Sequence, residues 1–444
     1  MLNGARSGRA VCVAFGLGCP RAKVDTARLF DYFRANGWAV CDSLEDADLV
    51  VVTTCGFSQE YEDHSIELLQ AADRRRKPGS RLVVVGCLPS INERRLRETC
   101  DADLVPYKNR AGLDAVIGAD VGFDEVGDPM VIEPYIEQAS RAFSADERRG
   151  QETPVRTGLR RMLGETGLKA ALARRNGTQQ GESGKAVVCS IRVANGCMGE
   201  CTYCAIKFGA GPLRSKPLER VLVEFDAGLA GGHTEFRLIA GDLGCYGQDI
   251  GTSIVALWEG IMKRPGDFHV TLLDFDLRWL VAYQTPLVQL LATNAERVRS
   301  VLLPFQSGSD RILALMRRHH TAREAKEALI ALRAACPDMV LDTHVLLGFP
   351  GETRADFEDT LAFLRLVRFD HVTVYEYEDR PGTIASQMSP KVPRRTIKAR
   401  GLRVRRETAG LGTALICYFQ DWGLRSGARA QPTRDDSQVG GVTK

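Results

Sequence analysis

Nowhere in the sequence do apolar residues continue for the ~20 positions that a bilayer-spanning helix requires. No secretory leader is expected either. Behind Arg6 and Arg9 the apolar stretch Ala10 to Leu17 is broken at Gly16, Gly18 follows it, and Arg21 and Lys23 come at once. Gly16 rather than leucine stands three positions before Cys19, which argues against a lipoprotein cleavage site. An excess of one charge is also missing. Fifty-nine Lys and Arg against 56 Asp and Glu leave a net charge of +3, too weak a field for general attraction to nucleic acid or membrane. Internal repeats are absent. These absences point to a soluble cytoplasmic protein, and 44% hydrophobic residues over 444 positions leave room for about three domains of ~150 residues.

Cysteine, by contrast, is plentiful. Thirteen is an odd number, and three fall within the eight residues Cys197 to Cys204. That suits a metal site in a reducing compartment better than a disulfide framework.

Organisation along the chain follows from apolar runs and their periodicity. Val11 to Phe15, Leu49 to Thr53 and Leu82 to Gly86 read as buried strands, alternating with helical patterns over Val24 to Asn36, Gln59 to Arg76 and Asn92 to Glu98. A parallel-sheet α/β domain over 10–139 is expected. Gly16 and Gly18 are only two glycines of a dinucleotide fingerprint, with Arg21 where the third belongs, which discounts a nucleotide-binding reading. Residues 140–185, rich in Arg, Gly and Gln, read as a linker with a short helix near Gly158 to Arg175. From 186 to 390 six strands are expected: Ala186 to Val193, Glu235 to Ala240, His269 to Phe275, Ser300 to Pro304, Val340 to Leu347 and His371 to Glu378. Strands separated by helices in this way imply a partial or full β/α barrel. Residues 391–444 read as a basic helix and a polar tail. The helix, with Arg394, Arg395, Lys398, Arg400, Arg403, Arg405 and Arg406, is either a solvated face or an RNA-facing patch.

The chemistry lies in the spacing of the cysteines. Cys197, Cys201 and Cys204 form a CxxxCxxC run directly after an apolar strand. Three thiolates on one short loop can hold three corners of a 4Fe-4S cluster and leave the fourth iron free of protein ligands. That iron can bind the amino and carboxylate groups of S-adenosylmethionine and deliver an electron to its sulfonium. Structural zinc would need a fourth ligand, and the nearest histidine is His233. A second set, Cys19, Cys55 and Cys87, follows three successive predicted strands. In a parallel sheet the C-terminal strand ends share one edge, so these three thiols are expected to converge there. Cys12, Cys41, Cys100, Cys189, Cys336 and Cys417 read as packing cysteines, and no role is assigned to Cys245.

With these residues in view, the chain resembles the methylthiotransferase family of radical S-adenosylmethionine enzymes, which modify tRNA adenosines or a ribosomal-protein aspartate. The resemblance runs through GLGCPRAKVD, DADLVVVTTCGF, VVVGCLPS, GCMGECTYCAIK, LPFQSGSDRILALMRR, GFPGET and RPGT, over about 10–105 and 186–408. It implies two 4Fe-4S clusters, at Cys19, Cys55 and Cys87 and at Cys197, Cys201 and Cys204, and two uses of S-adenosylmethionine. One molecule methylates a sulfur on the auxiliary cluster. The other yields a deoxyadenosyl radical that takes hydrogen from the acceptor carbon, which then receives the methylthio group. An electron donor such as flavodoxin or ferredoxin is implied. Gln306, Ser307 and Ser309 fall where the family lines its cofactor pocket. Gly348 to Glu352 follows a later barrel strand and Glu235 sits beside Gly231-Gly232, where glycines could let the backbone approach a nucleoside or simply form a turn.

The chain departs from the family at Ala22, where Asn is usual, and at Ala210, where Arg is usual. The stretch after Leu411 is also too short for the small β-barrel, the TRAM domain, that engages the target in known members. Those departures shift the expected acceptor toward a peptide or small biosynthetic intermediate rather than RNA or a ribosomal protein. Strand alternation would put Asp274, Asp276 and Arg278 on one face as substrate contacts, with His344 and Asp342, and Glu376 and Glu378, repeating the pattern; solvated positions are the other explanation. Two other readings stay open. One is a radical dehydrogenase or epimerase that uses the N-terminal cluster for electron transfer. The other is a non-catalytic iron-sulfur RNA-binding protein.

Overall fold

The computed structural model describes residues 8–16, 18–143 and 187–418, with only the backbone considered over 416–418. The first of its two sheets comprises β1 (Ala10–Phe15), β2 (Ala39–Cys41), β3 (Leu49–Thr54), β4 (Arg81–Gly86) and β5 (Asp103–Pro106), all parallel in the order β2-β1-β3-β4-β5. Its central strands are β-branched and buried on both faces, as a sheet covered by helices on each side demands. Val11, Val13, Leu49, Val51, Val83 and Val85 pack on one face. The alternating Cys12, Ala14, Val50, Val52, Leu82 and Val84 pack on the other. Helices Pro20–Ala35 and Gln59–Arg75 are among those that cover it.

The second sheet holds seven parallel strands: β6 (Val188–Arg192), β9 (Glu235–Ile239), β10 (His269–Leu272), β11 (Val298–Leu302), β12 (Val340–Leu347), β13 (His371–Glu376) and β14 (Ala414–Tyr418). They lie side by side in chain order, so the sheet curves as an open, partial barrel. A two-stranded ribbon, β7 (Ala194–Asn195) with β8 (Arg214–Ser215), sits beyond β6.

Several boundaries differ from the sequence reading. β2 and β5 are short and half-exposed, and their apolar runs are too brief to stand out. β14 joins the sheet beyond the expected end at 390, pairing with β13 from His371↔Ala414 onward. A tail reading therefore fails for 414–418, whose five residues carry too little pattern to distinguish a strand. The expected linker helix at 158–175 lies outside the described residues. The basic helix, Arg394–Gly410, packs Ile397 and Val404 inward, and its Arg400 is buried against Glu352. Arg403 pairs with Glu358, so at least two of its seven basic groups are engaged within the fold.

Two ion clusters fasten the sheets to each other. Arg192, at the end of β6 and 2% exposed, meets Asp25 of the first helix at 2.5 Å and also pairs with Asp128. Farther along, Arg380 binds Glu62 at 2.5 Å and the Gly56 carbonyl, while the Gln59 amide donates to Glu378. Buried pairs of this kind are costly to break from one side.

Candidate active site

Each thiol of the first triad occupies the same kind of position. Cys19 caps the helix that opens with Pro20, four positions after the end of β1, and Cys87 caps the short helix Leu88–Ile91 after β4. Cys55 follows β3, its amide donating to Ser65 Oγ at 3.0 Å. The β4 to Cys87 turn is tight. A Cβ on Gly86 (φ +144°) would stand 2.1 Å from the Thr54 carbonyl oxygen, so this position accepts no side chain.

The second triad hangs from the loop beyond β6 and β7. Gly196 opens it at φ +74°. The Gly199 amide donates to Cys197 Sγ at 3.1 Å, Thr202 Oγ1 donates to the Leu315 carbonyl, and Lys207 Nζ donates to the Cys201 carbonyl. Helix Ile206–Ala210 then runs against the first domain. A Cβ on Gly209 would come within 2.9 to 3.2 Å of the Cys87 backbone and Cβ, so the glycine lets the two cysteine sites approach.

All six cysteines line one cavity of about 450 Å³ between the sheets. Burial pushes the thiols of Cys55 and Cys197 up to about 12 and those of Cys87 and Cys204 upward as well, with neighbouring thiols adding to the effect in the first set and in Cys204. Iron binding must therefore displace their protons, which is the usual coupling at thiolate sites. Two cations face the thiols. Arg21 loses solvation by burial, but Cys19, Cys87 and Asp274 more than offset this and hold it charged. Arg318 donates from Nη1 to Cys201 Sγ at 3.7 Å and pairs with Asp276 at 3.0 Å. Among the described residues no three Cys, His, Asp or Glu side chains converge on a single-ion site. Tetrahedral zinc needs that convergence, whereas thiolates of a cubane bind separate irons. The donor set fits iron-sulfur clusters.

Of the other expected site residues, Asp274, Asp276, Gln306 and His344 line this cavity. Asp274 (φ +54°) and Gln306 (φ +66°) adopt the left-handed conformation, a cost that is typically borne at functional positions. Arg278 does not share a strand face with them. β10 stops at Leu272, Asp276 caps helix Leu277–Ala282, and Arg278 turns to Asp242 at 3.1 Å. Glu235 begins β9, at the opposite end of the strand from the cysteines, and is bound by Arg299 and His269. Ser309 caps helix Asp310–Leu315 and donates to Asp356, while Ser307 packs against Thr360. Gly348 faces Ile397 of the basic helix, where a Cβ would stand 2.3 Å away, and donates its amide to Glu352. These four residues support the fold around the site. Asp342 is likewise held away from the cavity, by His371 at 2.6 Å.

Arg21, Arg318 and Tyr107 line the cavity without having been singled out from sequence. Arg21 follows Cys19 by two residues and Arg318 closes the LALMRR run, so proximity to a cysteine could have marked the first. Ala22 and Ala210 line it too. A smaller chamber of about 150 Å³ adjoins, sharing Phe57, Tyr203 and His344 and adding Glu60, Glu376, Glu378 and Arg380.

A partial parallel barrel with CxxxCxxC beyond its first strand defines a radical S-adenosylmethionine enzyme, and the comparisons agree. Residues 191–364 match the radical SAM superfamily, and residues 12–106 match an uncharacterized protein family, UPF0004. The chain is 30% identical over 399 residues to the ribosomal protein uS12 methylthiotransferase RimO of Geobacter sulfurreducens, covering 86% of this chain and 78% of that protein. It is 28% identical over 387 residues to the protein of the same name from Acetivibrio thermocellus, with the same coverage. Among solved structures, the radical S-adenosylmethionine methyltransferase TsrM from Kitasatospora setae aligns with a TM-score of 0.56 at 15% identity over 85% of this chain and 77% of that one. The cobalamin-dependent radical enzyme OxsB aligns at 0.50 and 12% identity, over 93% and 58%. Those two likenesses are of fold. The chain belongs to the radical S-adenosylmethionine methylthiotransferase family, whose cofactors are S-adenosylmethionine and two 4Fe-4S clusters.

Proposed function

We propose that Cys197, Cys201 and Cys204 hold the cluster at which S-adenosylmethionine is cleaved, that Cys19, Cys55 and Cys87 hold the second cluster, and that the acceptor is a peptide segment. The opening of all six thiols onto one cavity carries this reading. When bound, these groups supply methyl transfer to sulfur and radical removal of hydrogen from carbon, so that C–H becomes C–SCH3. The chain's part is placement. Arg21 and Arg318 balance the anionic thiolates, and Asp274 and Gln306 project from strand ends into the space between the triads. The Arg192 and Arg380 ion pairs hold that space to a fixed width, as a transfer between two centres requires.

The adjoining chamber bears on the acceptor. Its wall holds Glu60, Glu376 and Glu378, and Arg380, the one Lys or Arg among its described lining residues, is already bound to Glu62. Burial, followed by Glu378, pushes the Glu60 carboxyl up, and burial pushes Glu378 up. A cationic group brought there would draw these carboxyls into their charged form, whereas a phosphate finds no unengaged Lys or Arg among the described lining residues, which favours a neutral or basic peptide over tRNA. The relatives named for ribosomal protein uS12 make that protein the first acceptor to assay. An electron donor of the flavodoxin or ferredoxin kind completes the system.

The test is anaerobic reconstitution followed by turnover with uS12 and, separately, with unmodified tRNA. Gain of one methylthio group on the protein, with both S-adenosylhomocysteine and 5'-deoxyadenosine formed, supports the reading. Modification of the tRNA alone overturns the acceptor, and 5'-deoxyadenosine without S-adenosylhomocysteine overturns methylthio transfer in favour of simple hydrogen abstraction.

A further inference from the structure

Four parallel strands of the first sheet end at the edge facing the cavity, and three of them deliver a cysteine. The fourth, β5, delivers Tyr107, which follows Pro106 directly and opens a short 3₁₀ turn, Tyr107–Asn109. Registration makes the equivalence close. β4 and β5 pair through Gly86↔Pro106, so Cys87 and Tyr107 are each the next residue beyond the last paired positions of neighbouring strands. Tyr107 lines the same cavity as Cys19 and Cys87 and is 7% exposed. Its hydroxyl is buried and has no hydrogen-bond partner among the described residues. Its ring is anchored from behind, where Arg110 donates to the Tyr107 carbonyl at 2.9 Å and its guanidinium lies 5.9 Å from the ring centroid.

A buried hydroxyl with no partner is costly and rare. In this place it is open to an acceptor that the described residues do not supply. Three acidic groups face the phenol: the Asp25 carboxylate, which Arg192 and Arg110 already engage, and the thiols of Cys87 and Cys19, which line its cavity.

We propose that the Tyr107 phenol donates a hydrogen bond to a sulfur of the iron-sulfur group held by Cys19, Cys55 and Cys87, and so sets that group's reduction potential apart from that of the Cys197 site. The inference rests on the two-triad reading above. A donor to cluster sulfur stabilises the more negative, reduced state and raises the potential. No covalent change at Tyr107 is involved. The phenol keeps its proton and fixes where the sulfur's remaining lone pair points.

The experiment uses the full chain with Cys197, Cys201 and Cys204 all changed to Ala, so that only the N-terminal site can contribute, and compares it with the same chain also carrying Tyr107→Phe. Both are reconstituted anaerobically, their iron is counted, and the cluster is titrated potentiometrically by EPR. Proton ENDOR is recorded on the reduced form in H2O and D2O. Both proteins are expected to hold about 4 iron atoms. Tyr107→Phe should titrate at a lower potential and lose one exchangeable proton coupling present in the parent. Equal potentials with unchanged couplings overturn the Tyr107 assignment while leaving the two-triad reading standing. A parent chain that binds no iron overturns that reading, and the Tyr107 assignment with it. Should Tyr107→Phe fail to fold, the parent alone decides against the proposal if no exchangeable coupling appears.

Discussion

The two halves of the site are built by opposite means. Beyond β6, the ligand set proposed above is three cysteines within eight residues, which need little more than one loop and its tethers, Thr202 to Leu315 and Lys207 to Cys201. In the first sheet, Cys19, Cys55 and Cys87 come from three separate strand ends and meet only because β1, β3 and β4 are neighbours in one parallel sheet. A local site is written in spacing. A distributed one is written in topology, and it inherits the stability of everything between its members.

That contrast is open to direct attack. The largest effect is expected from removing each triad in turn. Changing Cys197, Cys201 and Cys204 to Ala should abolish 5'-deoxyadenosine formation. Changing Cys19, Cys55 and Cys87 to Ala should spare cleavage of S-adenosylmethionine yet end methylthio transfer. In both variants the iron count should fall from about 8 to about 4, and a loss of all iron from either would show that the sites are not independent.

Next in size is the clamp between the sheets. Arg192→Met leaves Asp25 and Asp128 buried without their common partner. Because Arg110 stays on Asp25 and Arg28 and Lys216 stay near Asp128, the cost should fall below the ~3–5 kcal/mol of a fully orphaned buried charge, to be read as a lowered unfolding midpoint. A smaller cost, about 1–3 kcal/mol from overpacking, is expected of Gly209→Val, whose Cβ would press on Cys87 at 2.9 Å. Here the distributed site should lose iron while the local one keeps it, and equal losses would contradict the contrast.

The smallest effects concern pH, and the two regions should respond with opposite sign. Asp128 resists burial because Arg192 holds its carboxyl down to about 2 from 3.8. Its contribution is therefore complete above ~3.8 and lost as pH falls toward 2. Within the second sheet, burial outweighs Arg400 and lifts Glu352 to about 7 from 4.5. The proton it retains favours the fold below ~4.5, and that advantage disappears as pH rises through 7. Stability profiles of Asp128→Asn and Glu352→Gln should flatten the acid and neutral limbs respectively. An unchanged limb in either variant would refute the corresponding assignment.

Much of this architecture was legible in the residues. β-branched runs marked β1, β3 and β4, and six of the seven strands of the second sheet stood out by alternation with helices. That the six cysteines would line one cavity was readable because both their spacing and their strand-end positions obey simple geometry. The failures have physical causes. Asp274, Asp276 and Arg278 looked coplanar only if β10 continued, but Asp276 is a helix cap, and capping chemistry competes with strand alternation in such a short segment. Glu235 and Gly348 were placed by motif, whereas their partners, Arg299 and Ile397, lie 64 and 49 positions away. Tyr107 carried no signal because its importance depends on the register of β5 against β4.

One consequence follows for kinetics. A chamber of about 450 Å³ lies in the ~300–1,000 Å³ range that houses a single ligand of modest size, yet the family's chemistry calls on the same nucleoside cofactor twice. Traffic through it must be sequential: the spent thioether of the first event has to vacate before the second molecule and the acceptor can be seated. Steady-state velocities should then fall on the parallel double-reciprocal lines of a substituted-enzyme scheme, with excess cofactor competing against the acceptor for entry.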